Sequence, residues 1–246
     1  MNLTDAELDR YARHIVLPQV GGIGQRKLKA ARVAVIGAGG IGSAVIPALA
    51  GAGIGQLTIV DSDVVEIANL HRQPLFRERD EGYAKADLAL QFAHRLNRFV
   101  KAIPVQERIG PGNAERLLID HDLVIDGSDN FATRLAVNDV CVRLGIPLLS
   151  AAAIQFQGQV GLFRSKPCYR CFVGNDPEQP EQSCADVGVV GAMAGVMGSL
   201  AAMEAIRAIV PFGEDSAGKL LLADALTLRF RTVSLSKDPE CTTCRV

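Results

Sequence analysis

Short apolar runs rich in β-branched residues alternate with stretches of helical periodicity over the first 150 positions. Arg32-Val-Ala-Val-Ile reads as a buried strand, because a strand covered on both faces shows a continuous apolar run. A small-residue helix follows from about Ile41 to Ala52, and Gln56 to Asp61 is the next strand, which makes a βαβ unit. The alternation then continues. Tyr83 to Arg98 has helical periodicity. Lys101 to Val105 and Leu123 to Asp126 read as strands around a short helix near Asn113 to Leu118. Asn130 to Leu144 reads as a helix and Ile146 to Ala151 as a strand.

Residues 1–30 read as a helical arm, capped by Thr4 or Asp5 and broken by Gly21, Gly22 and Gly24. Beyond Gln157 the pattern changes. Gln159 to Phe163 reads as a strand, Pro167 to Cys184 as a polar, proline-containing loop, and Leu220 to Leu222 and Leu228 to Ser234 as two more strands. The whole predicts an α/β fold, a Rossmann-like, mostly parallel sheet with helices on both faces, extended by antiparallel strands that share its core. The weakly charged run from Val187 to Met203 is long enough for a membrane span, but Gly188, Gly191, Gly195 and Gly198 break it and it reads as a buried helix. No internal repeat or low-complexity segment interrupts the pattern.

Composition narrows the function classes. Of 246 residues, 48% are hydrophobic and 22% charged, with a net charge of -1, so no global basic field draws in nucleic acid or an anionic membrane. The charged, helical N-terminus has no apolar segment of the signal-peptide kind, and a cytoplasmic location with reduced thiols is the expectation.

Gly37-Ala-Gly39-Gly40-Ile-Gly42 is a GxGxxG pattern between a strand and a helix. Such a turn lets backbone approach a phosphate, and the helix N-terminus adds free N–H groups and a positive dipole end. Asp61 ends the second strand, where an acidic group takes ribose hydroxyls. The motif reads as nucleotide-binding, the plainer alternative being a turn needed only for helix–sheet packing, and it does not choose between NAD and ATP.

The charges that follow favour ATP. Asn69 and Arg72 are neighbours on one helical turn, Lys85 opens the next helix, and Asp126-Gly-Ser-Asp129-Asn130 ends another strand at the same sheet edge. Cations neutralise phosphates, and an Asp can hold Mg²⁺. A carboxylate attacking the α-phosphorus is already ionised at neutral pH, so it requires charge screening and in-line placement more than a general base. Each charge alone reads equally well as a solvated loop residue.

Six cysteines occur. Cys168/Cys171 and Cys241/Cys244 are two CxxC pairs, which together complete a tetrahedral thiolate site of the structural Zn²⁺ type. A disulfide, or a thioredoxin-like pair following a strand and opening a helix, is the alternative. Cys141 reads as core. Cys184, in the polar loop, is a candidate reactive thiol, though an unpaired cysteine more often packs.

These residues resemble the ThiF/MoeB/HesA family, bacterial relatives of ubiquitin-activating enzymes. The resemblance covers nearly the whole chain: Arg10-Tyr11-Ala-Arg13-His14, the glycine loop, Asn69-Leu-His71-Arg72-Gln73, Asp126-Gly-Ser-Asp129-Asn130, Cys168-Tyr-Arg-Cys171, Gly188-Val-Val-Gly191, Met203-Glu-Ala-Ile206, Ala223-Asp-Ala225 and the terminal CxxC. It implies one adenylation domain over 1–246, with an arm (1–30), a nucleotide-binding half (31–155) and a carrier-binding and zinc half (156–246). It implies a homodimeric adenylyltransferase that uses ATP and Mg²⁺ to activate the C-terminal glycine of a ubiquitin-like sulfur-carrier protein ending in Gly-Gly, for molybdopterin or the thiamine thiazole. Asp61 would hold the ribose, and Asn69, Arg72 and Lys85 the phosphates. Asp129, beside Asn130, would hold Mg²⁺, Arg13 would reach the neighbouring subunit's site, and Cys184 can bond to the carrier. The sulfur would come from a separate sulfurtransferase or cysteine desulfurase. Adenylation of a tRNA or peptide carboxylate, or an NAD-binding oxidoreductase, is the competing reading.

Overall fold

The computed structural model describes residues 2–174 and 187–245. A single eight-stranded sheet runs through it in the order β3-β2-β1-β4-β5-β6-β7-β8. The strands are β1 (Arg32–Ile36), β2 (Gln56–Val60), β3 (Lys101–Val105), β4 (Leu123–Asp126), β5 (Leu148–Ile154), β6 (Gln157–Phe163), β7 (Lys219–Asp224) and β8 (Arg229–Ser234). The first five are parallel, and β6, β7 and β8 add in antiparallel fashion to the β5 edge. Every predicted strand is present, with boundaries moved by a few residues.

Alternation along the strands builds two cores. Val33 and Val35 of β1, Leu57 and Ile59 of β2, and Leu123 and Ile125 of β4 point to one face. There they meet α4 (Gly42–Ala52), α5 (Lys85–Leu96) and α9 (Gly191–Ile209). Ala34, Ile36, Val124 and Leu148 point to the other, against α6 (Ala114–Leu118) and α7 (Phe131–Leu144). Each fully buried Leu or Ile contributes roughly 1.5–3 kcal/mol relative to exposure. Helix α9 is long and apolar enough to cross a membrane by length and composition. Here it packs against α4, β5 and β6, burying Met193, Met197, Ala201 and Ala205.

The N-terminal arm holds α1 (Asp5–Arg10), α2 (Ala12–Ile15) and α3 (Gly21–Ala30). Thr4 is the N-cap of α1: its hydroxyl accepts from Glu7 N–H, and Glu7 accepts from Thr4 N–H, a reciprocal capping box. The expected break moves. Gly21, Gly22 and Gly24 lie inside α3, and the chain turns instead before them, around Pro18. Gly24 is there for contact, since a Cβ would sit 2.7 Å from Val210 Cγ1. The buried Tyr11 hydroxyl accepts from Asn97 Nδ2 at 2.8 Å and fixes the arm to the core.

The stretch after Pro167 also departs from a plain loop. Cys168 is the N-cap residue of a short helix, α8 (Tyr169–Val173), a few residues after β6. Flanking polar residues mask a turn of helix whose Tyr169 packs edge-on to Phe163.

Candidate functional site: a nucleotide cavity and a four-thiol centre

Strands β1, β2 and β4 end in register, with Ile36 opposite both Val60 and Asp126. The loops leaving them therefore open at one edge, where the strand order reverses between β1 and β4. A cavity of about 620 Å³ lies there. It is lined by Gly37, Gly39 and Gly40 from the first loop, and by Asp61 and Asp63 from the second. Asn69, Arg72, Gln73 and Lys85 follow, and Ser128, Asp129 and Asn130 close it from β4.

The glycine loop is tight. Gly37 adopts φ +88°, and a Cβ on Gly42 would fall 2.2 Å from the Gly37 carbonyl oxygen. Gly42 therefore allows the first turn of α4 to fold back on the loop, although it does not line the cavity. Asp61 ties the loop to β2: Oδ2 accepts from Ala38 N–H at 2.7 Å and Oδ1 from Asp63 N–H at 2.8 Å. Burial pushes the Asp61 carboxyl above the ordinary carboxylate range, against those two donors and the Lys85 charge.

The cationic side is organised by a 3-10 turn over Ile67–Asn69. Asn69 Oδ1 accepts from Arg72 Nη2 at 2.7 Å, and Arg72 Nη1 lies 2.9 Å from His71 Nε2. The second contact requires an unprotonated Nε2 on His71. Lys85 is only 4% exposed, and its ammonium reaches Asp63 Oδ2 at 3.3 Å. Asn130 caps α7, its Oδ1 accepting from Thr133 N–H at 2.8 Å, while Asp129 stands exposed at the rim. Gln73 Oε1 and Ser128 Oγ, on two residues that line the cavity, are buried and have no hydrogen-bond partner among the described residues. Buried polar atoms left open around a cavity suit a polar ligand. The cavity thus offers backbone N–H groups, carboxylates and four cations, Arg72, Lys85, Arg108 and Arg134, to a phosphorylated ligand.

Arg13 is exposed on α2 and does not line the cavity of its own chain. Cys184 lies outside the described residues. Sequence reasoning missed Arg134, which also lines the cavity and is almost wholly buried. Its signal was faint: one of two arginines in its helix, followed by the apolar Leu135, Ala136 and Val137.

The four thiols gather although the pairs lie 73 residues apart. Cys168, Cys171, Cys241 and Cys244 place their sulfurs within 4.8 Å of one another. The Cys168–Cys241 separation is 3.6 Å and Cys171–Cys244 3.4 Å, far longer than a disulfide. A tetrahedron of thiolates about 2.3 Å from a zinc ion has sulfurs about 3.8 Å apart, so the donor set and spacing are compatible with zinc. Burial pushes the Cys241 thiol up, but the N–H groups of Cys244 and Thr243 outweigh it and draw it down to about 7. The first CxxC does follow a strand and open a helix, yet its sulfurs face the second pair, which favours a closed metal site over a redox pair.

The ThiF family model matches residues 11–243. The chain belongs to the ThiF family. Among ThiF-family relatives, it is 44% identical to the sulfur carrier protein adenylyltransferase of Thermus thermophilus, over 99% of this chain and 93% of that one. It is 40% identical to the molybdopterin-synthase adenylyltransferase of Salmonella typhimurium, over 98% of each. The adenylyltransferase and sulfurtransferase MOCS3 of Bos taurus is 43% identical, and the chain spans 54% of it. The crystal structure of E. coli MccB with MccA-N7isoASN shares the fold, with a TM-score of 0.85 at 24% identity over 99% of this chain and 75% of that one. The chain is thus an adenylyltransferase of the ThiF/MoeB type, an activity that implies use of ATP.

Proposed function

We propose that this enzyme adenylates the C-terminal glycine carboxylate of a ubiquitin-like sulfur-carrier protein that ends in Gly-Gly. The observation that carries the reading is a groove of about 480 Å³ that continues from the nucleotide cavity. The two share Ala152, Ala153, Ile154 and Gln159, and the groove runs on past Gly158 and Ala223 toward Arg229 and Arg231. Small side chains leave a path for an extended glycine tail that ends beside the phosphates. Beyond it, Leu226, Leu228 and Phe230 are exposed at the β7–β8 hairpin, Leu228 at 83%, and offer an apolar surface to the body of a small partner.

In this reading Asp61 takes the ribose hydroxyls, and Asn69, Arg72 and Lys85 face the phosphates. A carrier carboxylate oxygen attacks the α-phosphorus, the bond to the β-phosphate oxygen breaks, and pyrophosphate leaves against the cations. Mg²⁺, held by Asp129, would screen the phosphate charge. The four thiols hold a structural Zn²⁺ that ties the C-terminus to the middle of the chain. Arg13, exposed on its own chain, serves the site of a second copy in a homodimer. Exposed Val16, at 70%, and Ile23 on the arm, with Val196 and Met203 on α9, support such an interface. The enzyme works in the cytoplasm, with sulfur from a separate sulfurtransferase or cysteine desulfurase.

ATP–pyrophosphate exchange tests the reading. Exchange should appear only with a Gly-Gly-ended carrier, and exchange with no carrier encoded beside this gene contradicts it. Mixing Arg13→Ala with Asp129→Ala chains should restore part of the exchange that each lacks; failure to do so argues against the shared site.

A further inference from the structure

One face of α7 carries Arg134 and Asn138 at the helical spacing of four, preceded by the N-cap Asn130 and followed by Val142. The row starts beside Asp129 at the nucleotide cavity and ends against the four-thiol centre, where Val142 packs. The helix of 14 residues spans about 21 Å. Arg134 binds the cavity end. Its Nη1 donates to Ser150 Oγ at 2.8 Å, and Nη2 donates to the Ala151 carbonyl at 3.0 Å and to the Ser128 carbonyl.

Its guanidinium also sits over the Tyr169 ring, 6.0 Å from the centroid. The Tyr169 N–H donates to Asn138 Oδ1 at 2.8 Å, and Asn138 Nδ2 points at Cys168 Sγ at 3.8 Å. One position along, Asp139 takes both Arg170 Nε and Nη2, at 2.8 and 2.7 Å, and the Thr243 hydroxyl at 2.7 Å. Both cysteine-bearing segments are therefore bonded to α7, and the first reaches the Ser128 carbonyl through Tyr169 and Arg134.

We propose that α7 couples the four-thiol centre to the nucleotide cavity, with Asn138 and Arg134 as positioning residues, so that zinc occupancy tightens nucleotide binding. This rests on the reading of the two sites given above. A metal ion shared by the four sulfurs would fix the position of Cys168, whose Sγ the Asn138 amide meets at 3.8 Å. Asn138 is then held against Tyr169, Tyr169 against Arg134, and Arg134 against the Ser128–Asp129 loop. A zinc ion that only staples the C-terminus would stabilise the fold without reaching this loop.

Thermodynamic coupling is reciprocal, so it can be read from either site. Zinc affinity is measured by chelator competition on the intact protein, with and without a saturating non-hydrolysable ATP analogue. The expected result is about tenfold tighter zinc with the analogue, within the ordinary range of coupling. On Co²⁺-loaded protein, which stays folded throughout, the analogue should shift the thiolate-to-cobalt absorption band. Asn138→Ala should remove both effects while each ligand still binds. If that variant does not fold, Arg134→Lys, which keeps the charge but loses the fork, should reduce both. Normal binding of both ligands with no affinity change and no band shift overturns the coupling alone. So does a folded Asn138→Ala that retains both effects. Failure of either zinc or the ATP analogue to bind overturns the coupling together with the site reading beneath it.

Discussion

At the nucleotide edge, twelve of the residues that line the cavity come from four short contiguous segments: Gly37 to Gly40, Asp61 to Asp63, Asn69 to Gln73 and Ser128 to Asn130. The four-thiol centre is gathered from two segments 73 residues apart, each bonded to α7 through Asn138 or Asp139. The first is held in place by the parallel sheet whether or not a ligand is present. The four cysteines of the second lie outside the strands, and its geometry depends on the groups that meet there. Ligand binding should therefore be separable from stability at the nucleotide edge and inseparable from it at the thiols.

That contrast can be broken from either side. The largest effect is expected at the thiols. Cys171→Ser should lose zinc and about 4 kcal/mol of stability, as losses of structural metals do, which metal analysis and urea denaturation would show. Arg72→Ala should lower pyrophosphate exchange by about 10²–10³-fold with an unchanged unfolding curve. Gly42→Ala is intermediate, because the added Cβ meets the Gly37 oxygen at 2.2 Å. Overpacking of this kind costs about 1–3 kcal/mol, and displacing the loop by an ångström can weaken its action about a hundredfold. Calorimetry with ATP would detect it. If Arg72→Ala also lowered stability by several kcal/mol, the separation drawn here would fail.

The smallest effects belong to the arm. Thr4→Ala should cost about 1 kcal/mol through loss of the cap. Burial pushes the Glu7 carboxyl up, but the Lys29 ammonium at 2.7 Å and the Thr4 donors outweigh it and bring it below the ordinary range. A lowered carboxyl contributes stability that is present above its unfolded value, about 4.3, and lost as pH falls through the folded one. Glu7→Gln should flatten that part of the acid limb in urea melts taken from pH 6 down to pH 2.

The sheet was legible because each buried strand shows an apolar run and each crossover helix its own period. The segments Gly37–Gly42 and Asn69–Gln73 were legible because their residues cooperate at short range. The helix at Tyr169–Val173 was not, since it is one turn long and stabilised by tertiary contact with Phe163 and Asn138. The glycines at 21, 22 and 24 misled for a related reason: at Gly24 what counts is the close approach of Val210, which no local signal records. Arg134 and Asn138 escaped because a buried polar residue in a helix resembles an exposed one until its partners in Ser150, Ala151 and Cys168 are brought to it. The cysteine pairs show the opposite case, in which residue type and spacing pointed to a contact across 73 positions.

The central claim, that a carboxylate of the carrier becomes joined to the α-phosphorus, can be followed atom by atom. A carrier labelled with ¹⁸O in its terminal glycine carboxylate is incubated with the enzyme and ATP, and the adenylate is then cleaved at its carbonyl by a thiol. The released AMP is expected to carry one ¹⁸O from the carrier. AMP free of carrier-derived label would contradict it.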